Sequence, residues 1–368
     1  MDTPIKLKQV LEKNRIGLRE FARATKIPVT TLHSIVNKGE FTQKGERDGY
    51  RGKIAEVLLK RGVAAGDVFA PICSADIPAD DYETEWEAEM ITQEAMEFFN
   101  MGSDPFERLA VAGPDDIFKT AGYKKTREAL TRAITRRGFI AVFADVGAGK
   151  TLLWADISHE LGDKVRVIKP VILEKEQMTV YNLQEAVIAD LKGARADYSA
   201  PLKASKEARD RQIRDLLTLY DQEGIDVILI IEEAHTLPLR TLKALKRLWE
   251  IQIGFAAPLA IVLLGQPELR HELWDDLRIR EVTRRCRLVE LPRLRKPEIP
   301  AYIAFKFARV GEKTSKVFTD AALKAVADIL KAGAPALQVN NLCVHAINQA
   351  QELGQKKIDA DLIYALKK

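Results

Sequence analysis

The chain has 368 residues, 46% hydrophobic and 30% charged, and its basic and acidic side chains nearly cancel to a formal charge of +4. That length allows two or three domains with at least one large core, and the balance of charge neither demands nor excludes nucleic acid. The cysteines Cys73, Cys286 and Cys343 are far apart and form no C-x-x-C pair, which argues against a zinc site or a redox couple. With no apolar N-terminal region and no apolar run long enough to span a bilayer, the expectation is a soluble cytoplasmic protein without a membrane partner.

Residues 1–69 are helical in period. Leu7, Val10, Leu11, Leu18, Phe21, Ala22, Leu32, Ile35 and Val36 recur at three- and four-residue steps. Within them LREFARATKIPVTTLHSIVNKG (18–39) has the spacing of a helix-turn-helix. Thr30, Thr31, His33 and Ser34 then face outward near the start of the second helix, with Asn37 and Lys38 further along, where they can reach bases or phosphates. A following helix is predicted over 50–63. Lys26 stands where such turns usually place glycine. A small helical protein-interaction domain is the alternative to DNA binding.

Residues 70–95 read as an acidic linker. From Asp76 to Glu97 there is no Lys or Arg, and Pro71 and Pro78 sit near the start, so a solvated tether followed by an acidic helix is expected. A sharper possibility is that the stretch screens a basic channel until DNA displaces it.

Residues 96–296 alternate apolar runs with amphipathic helices. FIAVF (139–143), VRVIKPVIL (165–173), DVILII (226–231) and LAIVLL (259–264) predict buried parallel strands of an α/β sheet. After Pro297 no strand is expected, and three or four helices fill 297–368.

ADVGAGKT (144–151) follows the first strand and opens a helix, the context a phosphate-binding loop requires. Ala144, Asp145, Val146, Gly147, Ala148, Gly149, Lys150, Thr151 and Leu152 are therefore assigned to ATP. Lys150 reaches the β- and γ-phosphates, and the Thr151 hydroxyl ligates Mg²⁺. Ala144 replaces the usual first glycine and fits only if its φ is negative. DVILII ends in Glu232 and Glu233. The first acid can hold the Mg²⁺ shell and the second can orient or deprotonate the attacking water. Aspartate is more usual than Glu232, whose extra length could shift the metal water.

The marks EFFNMGSDPF (97–106), VGAGKT (146–151), IIEEAH (230–235), LLGQPELR (263–270) and GAPALQVNNLCVHAINQA (333–350) make residues 96–365 resemble the AAA+ ATPases of DNA transposition, the phage Mu B protein and TnsC, with ExeA as a relative. The resemblance implies an α/β P-loop AAA+ domain with a parallel sheet flanked by helices, a C-terminal helical lid, and ATP bound between neighbouring subunits. It assigns Gln266 to the γ-phosphate or the attacking water. It also places the finger that reaches a neighbour's ATP in the cluster from Arg278 to Arg287, where Arg280, Arg284 and Arg285 stay open. Ala336 replaces the arginine relatives carry at the start of the lid helix, so slow hydrolysis is expected.

The resulting expectation is an ATP-dependent DNA-binding regulator of transposition. It assembles with ATP and Mg²⁺ on double-stranded DNA, as a ring or helical filament of copies of itself, recruits a transposase, and disassembles on hydrolysis. Lys203, Lys206, Arg209, Arg211, Lys243, Lys246 and Arg247 are candidate DNA contacts, though both stretches could be ordinary solvated faces. A helix-turn-helix transcriptional regulator and an ExeA-like assembly ATPase are the alternatives.

Overall fold

In the computed structural model the described residues are 18–38, 47–60, 86–107, 113–162, 164–170, 175–193, 198–255, 257–275, 279–330 and 333–367, with Leu7, Val10, Leu11, Ile16 and Arg195 besides. The chain divides into two compact units, residues 1–79 and 80–368. Predicted features at Cys73, Pro71, Pro78, Arg61 and Arg278 lie outside the described residues.

The first unit is helical. Helices α1 (Leu18–Thr25), α2 (Val29–Lys38) and α3 (Arg47–Lys60) bury Phe21, Ala22, Ile27, Leu32, Ile35, Val36, Ile54 and Leu58 together with Leu7 and Leu11. The turn between α1 and α2 is made by Lys26, at φ +54°, with the Ile27 N–H donating to Ala22 O at 3.2 Å. This left-handed position closes a helix and favours glycine, and it costs an L-residue about 1–2 kcal/mol. The Lys26 side chain is exposed.

The second unit is built on five parallel strands: β1 (Phe139–Phe143), β2 (Val165–Ile168), β3 (Asp226–Ile231), β4 (Leu259–Gly265) and β5 (Cys286–Glu290), in the order β2-β3-β4-β1-β5. β1, β3 and β4 are central and apolar at almost every position, because helices cover both faces. One face packs on α7 (Val180–Gly193), α8 (Lys206–Gln222) and α9 (Leu239–Trp249), the other on α5 (Ala121–Thr135) and α6 (Lys150–Ser158). Two expectations are corrected. β2 stops at Ile168, well short of residue 173, and Pro170 two residues on has no N–H for a ladder. β5 was not anticipated: its sequence CRLVE is an edge strand with exposed Arg287, hidden within the arginine cluster.

After α10 (Pro267–Asp275) and α11 (Arg280–Thr283), the lid contains α12 (Ile299–Arg309), α13 (Asp320–Ile329), α14 (Ala336–Glu352) and α15 (Ala360–Ala365) around a core that includes Phe307, Phe318, Leu342 and Ile347. Within 297–368 the described residues form no named strand. The end of the acidic segment departs from a solvated tether. Trp86 to Ile91 runs extended along α14, with Trp86 and Ile91 buried and Glu87 and Glu89 exposed. Gln338, Asn341, His345 and Asn348, which share one face of α14 at helical spacing, bond its backbone. Trp86 N–H donates to Gln338 Oε1 at 3.2 Å, Asn341 donates to Trp86 O at 2.7 Å, and Asn348 donates to Met90 O at 3.0 Å. The short helix α4 (Gln93–Phe98) follows, capped by Thr92.

Candidate nucleotide site

β1 ends at Phe143 and the chain turns at once into α6. Ala144 is fully buried and its φ is not positive, so alanine satisfies the condition set for it. Gly147 (φ +73°) and Gly149 (φ +97°) adopt the left-handed backbone that turns successive N–H groups inward for an anion. Lys150 Nζ donates to Ala144 O at 2.8 Å and Asp145 O at 3.1 Å, so its ammonium lies within the curve of the loop. Burial pushes its pKa down, while Glu233, Asp145 and Glu268 pull it back up.

The helix behind the loop is braced by a buried carboxylate. Asp156 on α6 accepts from Lys119 Nζ (2.9 Å), Tyr123 OH (3.0 Å) and Arg127 Nε (2.8 Å). Its burial acts to raise its pKa, but these three donors outweigh that and hold the carboxyl below its ordinary range.

The two acids after β3 separate in space. Glu233 sits at φ +50° and lines the cleft with Gln266 and the loop residues Val146 to Leu152. Glu232 does not line the cleft, and its Oε1 stands 3.0 Å from Lys169 Nζ, just beyond β2. Its longer side chain thus reaches a cation just past the end of the neighbouring strand. His235 stands between the two candidate positions: Nδ1 accepts from Gln266 N–H at 3.4 Å and lies 3.7 Å from Glu233 Oε2.

The lid closes the other wall. The cleft encloses about 730 Å³, the scale of a nucleotide site, and its apolar lining includes Ile117, Phe118, Leu291 and Leu337. Leu337 N–H donates to Gly147 O at 3.3 Å, so the first turn of α14 rests on the loop itself. Arg293, Lys306 and Arg309 bring positive charge to this wall. Arg293 Nε bonds Asp145 Oδ2 at 2.5 Å, with both side chains largely buried. The described residues contain no cluster of three metal-ligating side chains. Mg²⁺ does not need one, since it keeps waters and phosphate oxygens and takes one or two protein oxygens. Thr151 and an acid of the Glu232–Glu233 pair fit that requirement.

Arg280, Arg284 and Arg285 are exposed and none lines this cleft. They precede β5, at the opposite end of the sheet from the loop and roughly 15 Å of strand away. They therefore cannot serve the ATP of their own chain. Arg285 Nε lies 3.7 Å from Glu250 Oε1.

Among the candidate DNA contacts, Lys203, Lys206, Arg211 and Arg247 are exposed. Arg209 is corrected to a structural role: it is 1% exposed, donates to Lys203 O at 2.7 Å and lies over the Tyr181 ring. Lys246 is paired with Glu250 and Glu281, and Lys243 is half-buried. Thr31 is half-buried on α2, and the side chains of Thr30, His33, Ser34 and Lys38 lie outside the described residues.

Four residues of the site were not legible beforehand. Lys169, Asp156 and Arg293 lie outside any motif, and Leu337 lies in the lid mark 333–350 without a role assigned to it; strand order and lid docking bring all four in. A recognised fifth strand would have pointed to Arg293 alone.

Residues 132–273 match the family described as AAA domain, a span containing the loop, both acids and Gln266. Over 226 residues the chain is 28% identical to the General secretion pathway protein A of Aeromonas hydrophila, covering 60% of this chain and 38% of that protein. The chain thus spans less than half the length of that curated relative. Solved structures similar to it include the Aeropyrum pernix ORC2 protein in ADPNP–ADP complexes, with 15% identity, 71% of this chain and 70% of that chain covered, and a TM-score of 0.47. The Thermotoga maritima RuvB Holliday junction branch migration motor has 17% identity, 69% and 70% coverage, and a TM-score of 0.38. The AAA match, the parallel sheet and the loop geometry make the chain a P-loop ATPase, with ATP and Mg²⁺ as cofactors. No helix among the described residues is long and apolar enough to cross a membrane.

Proposed function

We propose that this chain is an ATP-dependent DNA-binding regulator of transposition, which assembles copies of itself on duplex DNA and recruits a transposase. The observation that carries the reading is the joining of two parts in one chain. One is a nucleotide cleft whose candidate arginines stand on the far side of the sheet. The other is a small helical unit with the tight α1–Lys26–α2 turn of a helix-turn-helix. Arginines that cannot reach their own nucleotide suit a site completed by a neighbour, so ATP acts on assembly. Arg280 and Arg284, exposed and without an ion pair among the described residues, are the stronger finger candidates. Thr30, Thr31, His33, Ser34 and Lys38 on α2 are the proposed base and phosphate contacts, with Lys203, Lys206 and Arg247 as further phosphate contacts.

Within the cleft Lys150 and the loop N–H groups bind the phosphates. Glu233 orients and deprotonates the attacking water, Gln266 lines the same cleft, Thr151 would hold the metal, and Glu232, outside the cleft beside Lys169, would act only on the metal's water shell. Bound Mg²⁺ supplies charge neutralisation on the transferring phosphoryl group.

Electron microscopy with duplex DNA in ATP and in ADP tests the reading. Filaments or rings are expected with ATP only, and none with Lys150→Ala. Wild-type protein that stays monomeric with ATP and DNA would sink it. A second reading, an ATPase acting in assembly for secretion, draws on the 28% identity to the General secretion pathway protein A. It predicts ATP-dependent association that DNA does not stimulate.

A further inference from the structure

The segment linking β5 to the lid passes the phosphate loop at close range. Parallel pairing sets Phe143 beside Glu290, and the Leu291 N–H donates to Phe143 O at 3.0 Å. The residues that follow therefore run alongside Ala144 and Asp145. Pro292 is pressed against α5, where a Cβ on Gly122 would come 2.4 Å from its Cγ. Leu294 exchanges two backbone hydrogen bonds with Ala334, at 2.9 and 3.1 Å, just before α14 begins. Arg293 is caught between these anchored neighbours.

Its side chain is 7% exposed and lines the cleft, while Asp145 lies outside the lining and holds its Nε from behind at 2.5 Å. Burying a guanidinium is costly unless it is paired, and an acid in a loop that binds anions works against that loop. Each group answers the difficulty of the other. The bond through Nε also fixes the plane of the guanidinium against the loop. The first turn of α14, Ala336-Leu337-Gln338-Val339, brings no cation to the same place. Lys306 and Arg309 come from α12, and no described ion pair ties them to the loop.

We propose that Arg293 is a phosphate ligand supplied by the same chain, that Asp145 is its positioning residue, and that the pair makes the cleft prefer ATP to ADP. A triphosphate carries more charge than a diphosphate, so a fixed cation favours it. Since Leu294 is bonded to Ala334, a pull on Arg293 is also felt where the lid begins.

The test is a titration of fluorescent ATP and ADP against wild type, Arg293→Ala and Arg293→Gln, without DNA. Loss of a charge-assisted bond predicts an ATP affinity about ten- to a hundredfold weaker, with ADP much less affected. Arg293→Gln keeps a polar side chain beside Asp145 and serves if the alanine variant fails to fold. Asp145→Asn is expected to lower the ATP-to-ADP preference by roughly three- to tenfold, since a neutral partner orients the guanidinium less firmly. Equal losses for the two nucleotides, or unchanged affinities, would overturn the phosphate role. A wild-type preference in Asp145→Asn would overturn the positioning role. The assay uses neither DNA nor a transposase, so its result is independent of the assembly reading.

Discussion

Gly147 is where the phosphate loop meets the lid, and Gly147→Ala asks whether that contact governs nucleotide binding. At φ +73° an added Cβ costs about 1–2 kcal/mol in backbone strain. It would also stand 2.2 Å from Leu337 Cβ, 2.9 Å from Cδ2 and 3.1 Å from Cγ. Carbon atoms settle at about 3.5–4.0 Å, so the start of α14 must withdraw by more than an ångström. The Leu337 N–H bond to Gly147 O, already 3.3 Å long, is then lost. Strain plus one hydrogen bond comes to about 2–3 kcal/mol, roughly thirty- to a hundred-and-fifty-fold in ATP affinity. The assay is titration with a fluorescent ATP analogue on each purified variant. Leu337→Ala in the Gly147→Ala background removes Cγ and Cδ2 but keeps the closest contact, so it should restore little. Leu337→Gly removes that contact too and should leave only the strain. An affinity within threefold of wild type for Gly147→Ala, or equal rescue by the two Leu337 variants, would refute the reasoning.

Glu233→Gln should lower ATP hydrolysis by about 10²–10⁴-fold with nucleotide affinity retained, read by phosphate release beside a binding titration. Asp156→Asn should destabilise the second unit by about 2–3 kcal/mol in a denaturant melt. This is less than for a fully buried pair, because Lys119 and Arg127 are 29% and 21% exposed. As the folded carboxyl is held below its ordinary range, this stability is present above that range and lost as pH falls through the folded value. The gap between wild type and variant should therefore close in acid, and a gap independent of pH would contradict the assignment. Lys306 is buried, and burial pushes its amine down to about 8 from 10.5. Between those values the unfolded chain binds the proton more than the folded one, so stability should rise with pH across that window. Lys306→Met should raise the melting temperature at neutral pH and remove the rise.

The loop and the acids were legible because their chemistry is local. A phosphate loop needs glycines, a lysine and a hydroxyl within a few residues of a strand end, and ADVGAGKT carries them after FIAVF. The central strands were equally plain, since strands buried on both faces are apolar throughout. β5 and the end of β2 were not, because an edge strand needs neither continuous apolarity nor a full ladder. The strap at Trp86 escaped for another reason: its acidic composition describes the exposed Glu87 and Glu89, not the backbone that α14 holds.

What the sequence indicated by itself was therefore the phosphate loop at residues 144–152, with Glu233 and Gln266 as the proposed groups for the attacking water and the γ-phosphate; the first two were read from local spacing and the third from the resemblance. What only the tertiary structure decided was which distant groups share that site. Glu232 turns to Lys169, Arg209 leaves the surface for the core, and the arginines before β5 face away from their own nucleotide. Arg293 takes a place beside Asp145, 148 residues away along the chain. Strand order and lid docking set those neighbours, and both arise from burial of apolar surface over the whole unit, which no short motif encodes.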